Sequence, residues 1–131
     1  MKIDPKELKQ VSEKAKTDPV WWIENVLGDK LWETQKQVCR SVVTNRETSV
    51  KSCHATGKSF MASRIALWFL YNHAPSVVIT TAPTDRQVRG ILWKEITSAH
   101  SRARFPLGGD VITKQIKIAP DGFAWGFTAP D

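Results

Sequence analysis

The chain has 131 residues, 41% of them hydrophobic, and a formal net charge of +6. That length supports one modest core and excludes a large multidomain assembly, and no apolar run approaches the roughly 18 residues that a membrane span needs. Two cysteines, Cys39 and Cys53, have neither metal-ligand nor disulfide spacing, so the expected class is a soluble cytoplasmic protein with reduced thiols, its surplus positive charge favouring a polyanionic partner.

Residues 5 to 16 place Leu8, Val11 and Ala15 on one stripe among lysines, which predicts a short surface helix. Asp18-Pro19 is a helix opening, with Asp as N-cap and Pro in the first turn, and Gly28 is the expected stop. Trp21 and Trp22 on that helix read as packing residues. A third helix follows Leu31 to Gln35, with Val38, Val42 and Val43 on its buried side. Gln35 is a candidate for pairing with an adenine edge, because a carboxamide both donates and accepts.

The central stretch is Val50-Lys51-Ser52-Cys53-His54-Ala55-Thr56-Gly57-Lys58-Ser59, followed by the apolar run Phe60 to Tyr71. It matches the Gly-Lys-Ser half of the phosphate-loop pattern, with Ser52 where the first glycine would stand. In such a loop backbone N–H groups from Ser52 to Gly57 cradle phosphates, Lys58 supplies a point charge, Ser59 offers its hydroxyl to Mg²⁺, and the following helix aims its positive end at the anion. Thr48 to Lys51 reads as a short strand before the loop, and Met61, Ile65 and Trp68 recur at helical spacing after it.

Ser76-Val77-Val78-Ile79-Thr80-Thr81 predicts a strand buried on both faces, and with Thr48 to Lys51 and the intervening helix it would make a β-α-β unit in a parallel sheet. Thr84 and Gln87 have capping-box spacing for the next helix, whose inner face is Val88, Ile91, Leu92, Ile96 and Ala99. From Arg86 to Lys117 seven basic residues face two acidic ones. A solvated face and a track for nucleic-acid phosphates both fit that surplus. Val111 to Ala119 and Phe123 to Phe127 alternate around Pro120-Asp121-Gly122, which predicts a C-terminal β-hairpin.

Gln35, the loop Lys51 to Ser59, the segment Val78-Ile79-Thr80-Thr81-Ala82-Pro83-Thr84-Asp85-Arg86-Gln87 and the helix carrying Ile91-Leu92-Trp93-Lys94-Glu95-Ile96 together resemble the N-terminal ATPase region of the large terminase subunit of tailed bacteriophages and prophages. The similarity runs from about Trp21 to the end. It implies an ASCE, helicase-like P-loop NTPase fold: a parallel sheet flanked by helices, truncated here, with the C-terminal hairpin. The implied division is an N-terminal helical segment, 1–30, and the front of the ATPase domain, 31–131.

The resemblance further implies a motor that hydrolyses ATP with Mg²⁺ to drive double-stranded DNA into a procapsid, working in the bacterial host cytoplasm as a homo-oligomeric ring, with no membrane partner. Portal protein and small terminase subunit would be partners through the parent chain, which would also carry a nuclease. Carried over by position, Gln35 is the adenine contact, and Ser52, Cys53, His54, Ala55, Thr56 and Gly57 form the cradle. Lys58 is the catalytic lysine and Ser59 the Mg²⁺ ligand. Thr84, Arg86, Arg89, Arg102 and Arg104 meet DNA.

Two departures are visible. His54 lies where many terminases place an arginine, and its role stays open. No apolar strand ends in Asp-Glu, and Asp110, Asp121 and Asp131 do not supply that segment, so nucleotide binding with little turnover is the expectation for this chain. A helicase-type DNA translocase shares the glutamine, the loop and the Thr-Ala-Pro-Thr segment. A non-catalytic nucleotide- or DNA-binding module also fits.

Overall fold

The computed structural model describes residues 5–50, 57–73, 75–118 and 121–128. Helix α1 (Pro5–Thr17) is followed at once by α2 (Pro19–Trp22), because Asp18 accepts the Trp21 N–H at 3.1 Å and Pro19 needs no amide partner. α2 widens into a π-helical segment, Ile23–Leu27. Gly28 ends it with φ at 86°, its N–H reaching back to the Ile23 carbonyl at 3.0 Å. A left-handed stop of this kind favours glycine, so the expected boundary is found for the expected reason.

α3 (Glu33–Thr44) and α4 (Lys58–Asn72) come next, then strand β1 (Ser76–Ala82). Thr84 N-caps α5 (Asp85–Gln87), accepting the Gln87 N–H at 3.2 Å, which is one half of the expected capping box. α5 runs through a second π-helical segment, Val88–Leu92, into α6 (Trp93–Arg102) without a break. Strands β2 (Asp110–Ile112), β3 (Gln115–Ile118) and β4 (Gly122–Thr128) complete the elements among the described residues.

The architecture is mixed α/β. One four-stranded sheet has the order β1-β4-β3-β2, with β1 and β4 parallel and the other neighbours antiparallel. The parallel sheet with a separate hairpin read from the sequence is therefore corrected to one mixed sheet: the hairpin strand β4 bonds to β1 along its full length, from Ser76 opposite Gly122 to Ala82 opposite Thr128. Residues 48–50 form no strand, and Lys51 lies outside the described residues, so the β-α-β unit drawn through Thr48 to Lys51 is not found. Only Val50 in that stretch is apolar, and the Thr48 hydroxyl instead meets Ser41 of α3 at 2.9 Å. The hairpin has a second correction. Val111 to Ala119 is not one arm, since the chain turns at Thr113-Lys114 to pair β2 with β3. That turn is held on both sides: Gly126 N–H donates to the Lys114 carbonyl at 2.9 Å, and Lys114 Nζ meets Asp85 at 3.1 Å.

Side chains alternate across each strand, and the two faces of this sheet are unlike. One carries Gly122, Ala124, Gly126 and Ile116 against the helices, with Trp93, Val88 and Leu70 buried there. Trp93 Nε1 donates to Thr80 Oγ1 at 2.8 Å and Thr80 donates to the Trp125 carbonyl, so one hydroxyl joins the helix to two strands. The other face presents Val77, Ile79, Phe123, Trp125 and Phe127, with Val77 59% exposed and Trp125 46%. The expectation of a strand buried on both faces thus holds for one face only. The other edge of β1 has no partner among the described residues, and an apolar cleft of about 460 Å³ runs between it and α4.

A single cluster of buried residues extends from Ala15, Trp22 and Leu31 through Cys39 and Leu67 to Trp93 and Ala124, so residues 5–30 share their core with the remainder. Burial, and next the charge of Asp18, push the Cys39 thiol up to about 11, which makes it an inert packing group. Small residues on β4 are a steric necessity: a Cβ at Gly126 would overlap the Trp93 indole and stand 2.9 Å from Val88 Cγ1. Gly126→Ala is expected to lower unfolding free energy by roughly 1–3 kcal/mol, read as a fall in the urea midpoint. An unchanged midpoint would show that Trp93 has room to move.

Candidate functional site

Apolar periodicity makes α4 a helix, and the lack of a side-chain cap at Gly57 leaves its start turned toward whatever lies before it. Lys58 and Ser59 occupy its first turn. They line a pocket of about 290 Å³ together with Thr81, Ala82 and Pro83 from the end of β1, Gln87 of α5, and Ile91 and Leu92. Lys58 is exposed and makes no ion pair among the described residues. A helix N-terminus, a free ammonium and a hydroxyl beside the carboxyl end of a strand form a donor-rich, cationic corner suited to an anion. Among the described residues no carboxylate lines this pocket.

The structure brings together only part of the expected set. Ser52, Cys53, His54, Ala55 and Thr56 lie outside the described residues. Gln35 does not line the Lys58 pocket. Its Oε1 accepts the Trp32 N–H at 2.9 Å, which makes it the N-terminal clamp of α3 and leaves its amide N–H₂ for other contacts. Gln87, Ile91 and Leu92 are pocket residues that the sequence marks only as a cap and as an apolar helix face.

The basic candidates divide into two groups. Arg86 and Arg89 flank the start of the α5–α6 stretch, near Pro83 and Gln87, whereas Arg102 closes it and Arg104 follows. At 1.5 Å per residue Arg86 and Arg102 stand about 24 Å apart along the helix. Asp85 sits inside the first group and takes Lys114 at 3.1 Å and Arg89 at 3.4 Å. The Lys114 hydrogen bond, and after it the nearby Arg89, hold the Asp85 carboxyl below its usual range. Arg89 is thus partly engaged, while Arg86 has no ion-pair partner among the described residues.

Sequence reading missed a buried arginine behind the site. Arg64 lies on α4 within the apolar run and is 1% exposed. Nε donates to Asp29 at 2.8 Å and Nη1 donates to Glu95 at 2.8 Å and to Ser63 Oγ at 2.9 Å, with the guanidinium stacked 4.0 Å from the Phe60 ring centroid. It joins α4 to the loop before α3 and to α6. The available signal was one cation in an otherwise apolar helix face.

Comparisons with protein-family models, with curated protein sequences and with solved structures each return no match. The fold and the site geometry therefore carry the functional argument.

Proposed function

We propose that the chain is the nucleotide-binding part of a P-loop, ASCE-type DNA-packaging ATPase of the terminase kind. One observation supports this most: Lys58 and Ser59 stand on the first turn of α4 and share a pocket with the Thr81-Ala82-Pro83 end of β1. In this reading Lys58 neutralises the β- and γ-phosphates of ATP, while the first-turn amides of α4 orient them. The donor set fits a phosphate chain. Ser59 is the described residue that would hold Mg²⁺, which would supply countercharge for the phosphates. Thr84 and Gln87, beside the pocket on the cap of α5, connect it to Arg86 and Arg89, where a duplex backbone would lie. Portal protein, small terminase subunit and a ring of like subunits belong to the same proposal for the parent protein.

Duplex binding tests the DNA half of the reading. Arg86→Gln should weaken affinity for a random duplex at low salt and reduce the slope of log affinity against log salt by about 0.9. Arg89→Gln should do less, because Asp85 already holds that side chain. A chain that ignores duplex DNA at low salt, or a slope indifferent to Arg86, would remove the motor assignment and leave a nucleotide-binding module.

A further inference from the structure

On the side away from Lys58, α1, α2 and the segment after α6 enclose a cleft of about 540 Å³. Its walls are unusual in three respects. Four aromatic rings line it, from Trp21, Trp22, Tyr71 and Phe105, and the Phe105 ring is 56% exposed. Among the described residues no carboxylate lines it, while Arg104 does, and that guanidinium has no hydrogen bond or ion pair with any of them. The base of Arg104 is nonetheless fixed: its N–H donates to the Val26 carbonyl at 2.8 Å, and its methylenes pack beside Gly28.

Other polar groups converge on the same place. Lys14 Nζ lies 5.8 Å from the Trp21 ring centroid, so a second cation stands beside one of the lining rings. Asn25 donates to the Trp21 carbonyl at 2.9 Å, which leaves its Oδ1 as an open acceptor in the wall. Tyr71 is held by the Gly108 carbonyl at 2.7 Å and by His100 at 3.0 Å, and burial pushes its hydroxyl up to about 12, so it remains a neutral ring. Flat apolar faces, cations without an ion-pair partner among the described residues and a lone acceptor fit a ligand with an attached phosphate and a planar ring that carries an N–H donor. A volume in the roughly 300–1,000 Å³ range of ligand clefts admits one such unit.

We propose that this cleft binds one unstacked nucleotide of a single-stranded nucleic acid, its base against Phe105 and Trp21 and its phosphate on Arg104. A duplex cannot use the site, since its bases are already stacked and paired. An acidic peptide would meet the cations but would gain little from four ring faces, and the ring faces are what the cleft mainly offers. This site is separate from the Lys58 pocket and does not rest on the ATPase reading.

Fluorescein-labelled, 5′-phosphorylated oligo(dT) of five nucleotides, titrated at low salt and followed by anisotropy, tests the proposal. Phe105→Ala is expected to weaken binding at least fivefold, in line with base–aromatic stacking of about 1–3 kcal/mol. Phe105→Leu preserves apolar bulk without a π-face and should lose nearly as much, which keeps the test valid if the alanine variant folds poorly. Arg104→Gln should lower the salt slope by about 0.7. Absence of binding by the unmodified chain, affinity unchanged from it in all three variants, or stronger competition by tripolyphosphate or an acidic aromatic peptide than by oligo(dT) would each overturn it.

Discussion

Replacing Arg64 with methionine is expected to cost about 3 kcal/mol of stability, seen as a fall of roughly 10 °C in melting temperature. The guanidinium is almost wholly buried and holds two carboxylates from distant parts of the chain, so its removal leaves Asp29 and Glu95 facing a methyl thioether. Breaking a buried pair costs about 3–5 kcal/mol, and this case belongs at the lower end because the Asp29 and Glu95 side chains are 22% and 41% exposed and can take up water. Loss of the stacking on Phe60 adds to the effect. Removing the stranded charges as well, in Arg64→Met with Asp29→Asn and Glu95→Gln, should recover more than about 1 kcal/mol of that loss. A single substitution that leaves the urea midpoint unchanged would mean that the network is ornamental.

The second large effect belongs to the site itself. Lys58→Ala should leave stability nearly untouched, because the side chain is exposed and has no ion-pair partner among the described residues. Its effect on nucleotide affinity should be large. A lysine donating to phosphate oxygens at a helix N-terminus makes charge-assisted hydrogen bonds of about 1.5–3 kcal/mol, which corresponds to a loss of roughly 10- to 150-fold. Lys94→Ala, on α6 and outside the pocket, serves as the control. Equal loss in both variants would reduce the role of Lys58 to general surface charge.

Local signals in the sequence located most of the helices. Asp18-Pro19 and Gly28 bound α2 and its π-helical extension, and Thr84 caps α5, because a cap depends on residues within one turn of it. Long-range pairing was less legible. Nothing within Ser76 to Ala82 announces a partner about 46 residues later, and the β-branched run of β1 suits a fully buried strand as well as a half-covered one. The alternation of Phe123, Trp125 and Phe127 was visible as a strand, but the need for glycine at Gly126 was not, because it comes from Trp93 lying against the sheet. At the candidate site the Gly57-Lys58-Ser59 triplet and the Thr81-Ala82-Pro83 segment were legible, and the fold sets them side by side. Arg64 was not, because a charged residue in an apolar helix has no sequence mark that distinguishes a buried pair from an exposed edge.

Titration of ATP, with Mg²⁺ present, into the unmodified chain and into Lys58→Ala by calorimetry shows whether the Lys58 pocket holds a nucleotide. One saturable site is expected in the former and affinity lower by at least about tenfold in the latter, with both proteins equally folded. No heat of binding in the unmodified chain, or identical isotherms for the two, would contradict it.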